Sequence, residues 1–269
     1  LYGQPDLGNV KNPRAVHEVK NKKRAEANAA WWGFEESDAT DAIQSAIDSG
    51  AKKVIVPNMG KDWIVRPISL ASNQEIVFEK GVVVTAKKGE FKGKGDCLFR
   101  AVQAHAIKLT GYGAILRMQK QDYMSDAYEK AEWRMVLGFY SCSDIEILGL
   151  TLKDSGGDGI YLGVSGDQKQ CSNIHIKDVV CDNNYRQGIS IISAENLLIE
   201  NCTLKNTWGT PPAAGIDLEP NHSNEKMTNC TIRKCIMENN EGPGILIYLN
   251  PLSAQSENIS IRFEQCRVT

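Results

Sequence analysis

Five segments of this chain can be laid over one another: Ser143-Asp144-Ile145-Glu146-Ile147, Ser172-Asn173-Ile174-His175-Ile176, Glu195-Asn196-Leu197-Leu198-Ile199, Thr228-Asn229-Cys230-Thr231-Ile232 and Glu257-Asn258-Ile259-Ser260-Ile261. Their Asp/Asn positions are 29, 23, 33 and 29 residues apart. Each polar residue precedes a stretch with period-two alternation. Asn and Asp suit a turn there, because their short side chains tolerate the left-handed region and bond local backbone. A second column keeps the same register: Gly159-Ile160-Tyr161-Leu162, Gly188-Ile189-Ser190-Ile191, Gly215-Ile216-Asp217-Leu218 and Gly244-Ile245-Leu246-Ile247, at spacings of 29, 27 and 29. Constant strands with unequal intervals mean a repeated core and variable loops. Helical repeats would show a 3.6-residue period, and leucine-rich repeats a consensus that is absent. The pattern predicts an all-β, right-handed parallel β-helix, a solenoid of short strands stacked into parallel sheets.

The rest of the chain is read outward from that core. Residues 36–269 are assigned to the β-helix and residues 1–35 to a partly helical N-terminal extension, with Pro13 to Ala30 expected to be helical. Asp38 to Gly50 begins like a capped helix, carries apolar residues at i, i+4 and ends in Gly, so it is expected to form a helical cap over the open end of the core. Arg117 to Arg134 interrupts the repeats and reads as a helix-containing loop. The final stretch, Phe263 to Thr269, falls inside another coil with no capping element after it. The expectation is that a further C-terminal region, or a second copy in a homo-oligomer, covers that end.

Composition narrows the class. The 269 residues carry 33 acidic and 31 basic side chains, a net charge of −2, with 42% hydrophobic and 24% charged residues. That balance fits an ordered globular chain and argues against a general nucleic-acid binder. No apolar run approaches the ~20 residues of a membrane helix, and Leu1-Tyr2-Gly3-Gln4-Pro5 does not read as a signal peptide. Of the eight cysteines, several fall where sister coils place aliphatic residues: Cys181 aligns with Leu204 and Met237, and Cys202 with Cys235, Val179 and Leu150. They are expected as buried small hydrophobes, although stacked Cys202 and Cys235 approach disulfide range. No C-x-x-C pair suggests zinc.

Asp41-Ala42-Ile43-Gln44-Ser45-Ala46-Ile47-Asp48, then Val54-Ile55-Val56-Pro57 and Gly111-Tyr112-Gly113-Ala114-Ile115, resemble the opening of the pectate lyase and polygalacturonase superfamily. Ser155-Gly156-Gly157-Asp158-Gly159-Ile160 and Ala214-Gly215-Ile216-Asp217-Leu218-Glu219-Pro220 look like bacterial β-helix proteins of polysaccharide degradation. The resemblance spans about residues 36–269. It implies a carbohydrate-active protein, secreted or periplasmic, with a glycan as partner. The superfamily includes hydrolases, lyases, epimerases and non-catalytic tailspikes. The polygalacturonase signature is not met, since Asn-Thr-Asp, Asp-Asp and Gly-His-Gly are all absent, so pectin hydrolysis is not implied.

Strand alternation selects the candidate site. With Ile216 and Leu218 inward, Asp217 and Glu219 point outward together. Tyr161, Ser190, Asp217 and Leu246 form one outward column, and Ile192, Glu219 and Tyr248 the next. Asp158 and Gln187 share a register, with Arg186 beside them. An outward Asp-x-Glu is unusual in a strand. Glycoside hydrolysis commonly needs two carboxyl groups, so Asp217, Glu219 and Asp158 are the candidate catalytic residues, while Asp158 also suits a plain turn former. Arg186, Tyr161, Trp208, His222 and Tyr248 are the candidate substrate-binding residues, with Trp208 equally suited to packing over its coil. The leading reading is a glycoside hydrolase with no cofactor. A lyase or epimerase acting on uronates, with Ca²⁺ on Asp217 and Glu219 and Arg186 neutralising the sugar carboxylate, is the alternative. A non-catalytic glycan-binding β-helix is the third.

Overall fold

The computed structural model describes residues 8–166 and 169–269. Over these residues the strands form three parallel sheets of nine, seven and eight strands, each ordered so that neighbours come from successive coils. The chain is an all-β parallel β-helix. The nine-stranded sheet contains Ser143–Leu148, Cys171–Lys177, Ala194–Glu200 and Met227–Arg233. The seven-stranded sheet contains Leu137–Tyr140, Ile160–Gly163, Gln187–Ile191, Ala214–Leu218 and Ile245–Ile247. No described helix is long and apolar enough to cross a membrane.

Both repeat columns have physical causes. Asp144, Asn173, Asn196 and Asn229 all have φ between 54° and 57°. Their side chains form a row across the coils: Asn173 Nδ2 donates to Asp144 Oδ1 (2.9 Å), Asn196 Nδ2 to Asn173 Oδ1 (3.1 Å) and Asn229 Nδ2 to Asn196 Oδ1 (2.8 Å). Left-handed backbone and amide stacking together require Asx residues. Shorter rows repeat the device at other corners, from Asn183 to Asp154, from Asn201 to Asp178, and from Asn239 through Asn206 to Asp182. The glycine column answers to close approach. A Cβ on Gly159, Gly188 or Gly215 would lie 2.6, 2.4 or 2.7 Å from the carbonyl oxygen of the next coil's glycine.

The interior is an aliphatic stack. Ile160, Ile189 and Ile216 pair in register and are fully buried. Cys181, Leu204 and Met237 stack in the same way. All eight cysteines are free thiols and seven are buried. Cys202 and Cys235 stack as thiols, so the disulfide alternative does not hold in this structure.

The N-terminal region departs in part from the sequence reading. The α-helix covers Pro13–Lys20, Glu26–Asn28 is a strand that pairs with Lys53–Val56 at the end of the nine-stranded sheet, and a short 3-10 helix follows at Ala29–Trp32. Arg24 and Trp31, which a continuous helix would have separated, instead stack with the guanidinium 5.3 Å from the ring centre. The second helix, Thr40–Asp48, buries Ala42, Ile43, Ala46 and Ile47 and packs on strands from all three sheets, as a cap should. The interrupting loop holds one short helix, Lys120–Tyr123. Its far end is pinned by Arg134, fully buried, which donates to the carbonyls of Phe91 (2.9 Å) and Glu129 (2.9 Å).

Candidate active site

The seven-stranded sheet brings Asp217 into register with Ser190 and Leu246, and Ser190 with Tyr161. The outward column therefore forms as alternation demands. What alternation could not reveal is the cover. Asp217 and Asp158 leave the core interior, yet neither has any solvent exposure. The expected open acidic sheet face is instead a sealed polar cluster, and only its rim is wet. Glu219 and Glu132 side chains are 28% and 33% exposed, and Arg186 is 12% exposed.

Arg186 organises this cluster. The backbone N–H groups of Tyr185 and Arg186 both donate to the Gly157 carbonyl (3.0 and 2.9 Å), fixing where the side chain starts. Its guanidinium lies 3.0 Å from Glu219 Oε2, 3.9 Å from Asp158 Oδ2 and 3.9 Å from Glu132 Oε1. One cation thus faces three carboxyl groups carried by different coils and by the interrupting loop. Gly157 is needed because that loop crosses it: a Cβ there would meet the Glu132 carbonyl oxygen at 2.6 Å and Arg134 N at 2.9 Å. Gln187 orients Asp217, donating from Nε2 to Asp217 Oδ2 (3.0 Å) while its Oε1 accepts from Ala214 N (2.9 Å).

The carboxyl groups are not electrostatically alike. Burial pushes the Asp217 carboxyl up to about 8, and the neighbouring Glu219 charge adds to the push against the pull of Arg186. Burial likewise raises Asp158 to about 7, with Arg186 opposing. Both oxygens of Asp158, together with Asp217 Oδ1 and Ser190 Oγ, have no hydrogen-bond partner. Glu219, by contrast, is held directly on a guanidinium. The result is an acid that keeps its proton beside a carboxyl group paired with arginine.

These raised values carry a pH signature. In the unfolded chain both aspartates release their protons near pH 4, whereas the folded protein keeps them. Folding therefore binds protons between about pH 4 and the folded values. The stability is fully present below about pH 4 and is lost as pH rises through 7 for Asp158 and 8 for Asp217. Each pH unit climbed in that interval removes about 1.4 kcal/mol per retained proton. Thermal unfolding followed from pH 5 to 8.5 should show a falling midpoint, with a shallower fall in Asp158→Asn. Parallel pH profiles for the two proteins would contradict the assignment.

The remaining sequence candidates divide. Tyr161 stays near the cluster, two rungs from Asp217, with its ring tilted against Tyr140 at 5.4 Å. Trp208, His222 and Tyr248 do not join it. Trp208 sits on a coil corner, its indole N–H donating to Asn183 Oδ1 (2.7 Å) and its ring 3.8 Å from Lys120 Nζ. Lys120 thus takes one face of the ring, while the residue stays 38% exposed. His222 lies in the loop beyond the strand, its backbone N–H on Glu225 Oε2 (3.0 Å), beside a separate cavity of ≈ 380 Å³. Tyr248 is exposed, and its phenol accepts from Asn250 Nδ2 (3.3 Å). Sequence reasoning missed Glu132, which also accepts from Thr210 Oγ1 (3.3 Å) and lines a cleft of ≈ 300 Å³ with Trp133 and Tyr185. Its one signal was that the repeats break in the coil preceding Asp158.

Comparison with known proteins agrees with the architecture. The family model described as "Right handed beta helix region" matches residues 136–269. No curated protein sequence matches the chain. Similar solved structures include an ι-carrageenase complexed to ι-carrageenan fragments (17% identity, TM-score 0.61, 79% of this chain and 49% of that one). A family 28 exopolygalacturonase of Yersinia enterocolitica is also similar (12% identity, TM-score 0.58, 91% of this chain and 66% of that one). So is a mutant tailspike protein of E. coli bacteriophage HK620 in complex with a pentasaccharide (14% identity, TM-score 0.65, 91% of this chain and 46% of that one). The chain thus spans about half the length of the carrageenase and of the tailspike. At these identities the likeness is one of fold.

Proposed function

We propose that this right-handed parallel β-helix protein is a glycoside hydrolase acting on a polysaccharide or oligosaccharide laid along its seven-stranded sheet. The observation that carries the reading is the asymmetric carboxyl pair: Asp217 held protonated by burial, Glu219 paired with Arg186 at 3.0 Å. Cleavage of a glycosidic bond needs one carboxyl group that gives a proton to the leaving oxygen and one that activates water or attacks the sugar. Asp217 supplies the proton and Glu219 acts as base or nucleophile. Because Asp217 is sealed, the Glu219–Arg186 pair must part as the sugar enters. Asp158, raised to about 7 by burial, competes little with Glu219 for the arginine below that pH. The glycans bound by the carrageenase and the tailspike support a glycan as the partner here, and with it a secreted or periplasmic protein.

Arg186 also weighs against a calcium-assisted lyase. Its guanidinium lies 3.0 Å from Glu219 Oε2, so a calcium ion on Asp217 and Glu219 would have to displace it. Product analysis separates the readings. Incubation with plant, algal and host glycans should release fragments heavier by one water across the broken bond. Products absorbing in the ultraviolet as unsaturated uronides would replace hydrolysis with elimination, and binding without cleavage would leave a glycan-binding β-helix.

A further inference from the structure

The outward column of the seven-stranded sheet extends well past the carboxyl cluster. Strand register places Arg100, Gly138, Tyr161, Ser190 and Asp217 side by side on successive coils. Rungs are ~4.8 Å apart, so Tyr161 lies ~10 Å and Arg100 ~19 Å from Asp217 along the sheet. The adjoining column reads Val102, Tyr140, Gly163. Gly163 marks where the Tyr161 ring lies down, a Cβ there falling 2.2 Å from Tyr161 Cε1, and Gly138 marks where Cys97 and the Tyr140 ring close in, a Cβ there falling 2.6 Å from Cys97 Sγ and 3.0 Å from Tyr140 Cε2. Two rings are thereby laid over the sheet, 5.4 Å apart. Arg100 stacks on the far ring, its guanidinium carbon 4.7 Å from the Tyr140 centroid.

Arg100 differs from Arg66, Arg117, Arg186 and Arg233, each of which holds a carboxylate. Arg100 is exposed and, among the described residues, has neither an ion-pair nor a side-chain hydrogen-bond partner. Stacking fixes its plane while leaving its donor edges open, which suits two-pronged recognition of an oxyanion. A pyranose advances an extended glycan by about one rung spacing, so a chain crossing Asp217 would pass over Tyr161 and then reach Arg100.

We propose that Arg100, held on Tyr140, is a specificity-determining residue that reads an acidic substituent, carboxylate or sulfate, on a sugar bound away from the scissile bond. The substrate class is then an anionic glycan, its rings resting on Tyr161 and Tyr140. This rests on the hydrolase reading for the direction of the substrate, and its test is independent of cleavage.

The test is binding to an array of sulfated and uronate polysaccharides, each printed beside its desulfated or carboxyl-reduced counterpart. The native chain should bind at least one anionic member about tenfold more tightly than its neutral counterpart, as expected for a charge-assisted contact. Arg100→Gln should erase that preference, leaving binding of the neutral counterpart and the thermal midpoint unchanged. Arg100→Lys should restore part of it. Whether the sulfated or the uronate arm responds identifies the substituent. No binding to any anionic member, equal binding to the neutral counterparts, or a preference that survives Arg100→Gln would overturn the proposal. If the preference follows Arg100 while no glycan is cleaved, the hydrolase reading fails and the recognition site stands.

Discussion

Asp217→Asn is expected to lower kcat on the responsive glycan by about 10²–10⁴-fold, the usual worth of a positioned general acid, with the fold intact. The substitution is isosteric, and Gln187 Nε2, now 3.0 Å from Asp217 Oδ2, keeps an oxygen to bond. What disappears is the proton. Glu219→Gln should cost as much, for a different reason: it removes the charge that faces Arg186 at 3.0 Å and the group that activates water. The two variants separate in pH. Native activity should fall on the alkaline side as Asp217 loses its proton near pH 8. Residual activity in Asp217→Asn should lack that limb, and residual activity in Glu219→Gln should keep it, moved to lower pH because the Glu219 charge no longer lifts Asp217. Undiminished cleavage by either variant would remove that residue from the chemistry.

The second large effect is on stability. Arg186→Met keeps the length of the side chain and deletes the charge. Glu219, Asp158 and Glu132 would then share a nearly enclosed space with no cation. Removing one partner of a fully buried ion pair typically costs about 3–5 kcal/mol and of an exposed one up to about 1 kcal/mol, and with Glu219 and Glu132 28% and 33% exposed the loss should lie between the two. Urea unfolding at pH 7.5 should show a loss of that order. At pH 5 the gap should shrink, because protonation of the stranded carboxyl groups relieves them. Arg186→Lys should fall between, keeping the charge and losing the fork that faces three groups at once. Equal stability of all three proteins at pH 7.5 would mean that the cluster is solvated and not sealed.

The fold was readable because each coil repeats two demands that only a few residue types meet. Left-handed corners with stacked amides call for Asp144, Asn173, Asn196 and Asn229. Glycine-to-carbonyl approaches below 3 Å call for Gly159, Gly188 and Gly215. The strand face of the site was readable for the same reason, since period two places Asp217 and Glu219 without knowledge of their surroundings. Its enclosure was not. Alternation says which way a side chain leaves the strand and nothing about what lies over it. Glu132 comes from a loop whose path is set by Arg134 bonding to carbonyls of Phe91 and Glu129, a long-range contact without periodicity. Trp208 illustrates the converse: a tryptophan in a long loop suits sugar stacking, but Lys120, from the same interrupting loop, lies over its ring.

The amide rows also have a beginning. Each starts on an aspartate, Asp144, Asp154, Asp178 or Asp182, and runs toward the C-terminus through asparagines. Accepted amide bonds hold Asp144 and Asp178 ionised, and an ionised carboxylate has no hydrogen to pass backward. Aspartate can therefore open a row and never continue one. Asparagine, donor and acceptor at once, can be copied indefinitely. Duplicating the coil that carries Asn196 would lengthen the solenoid without breaking its corner. Duplicating the coil that carries Asp144 would set a carboxylate against a carboxylate. The corners thus act as punctuation, separating units that gene duplication can multiply from units that must remain single.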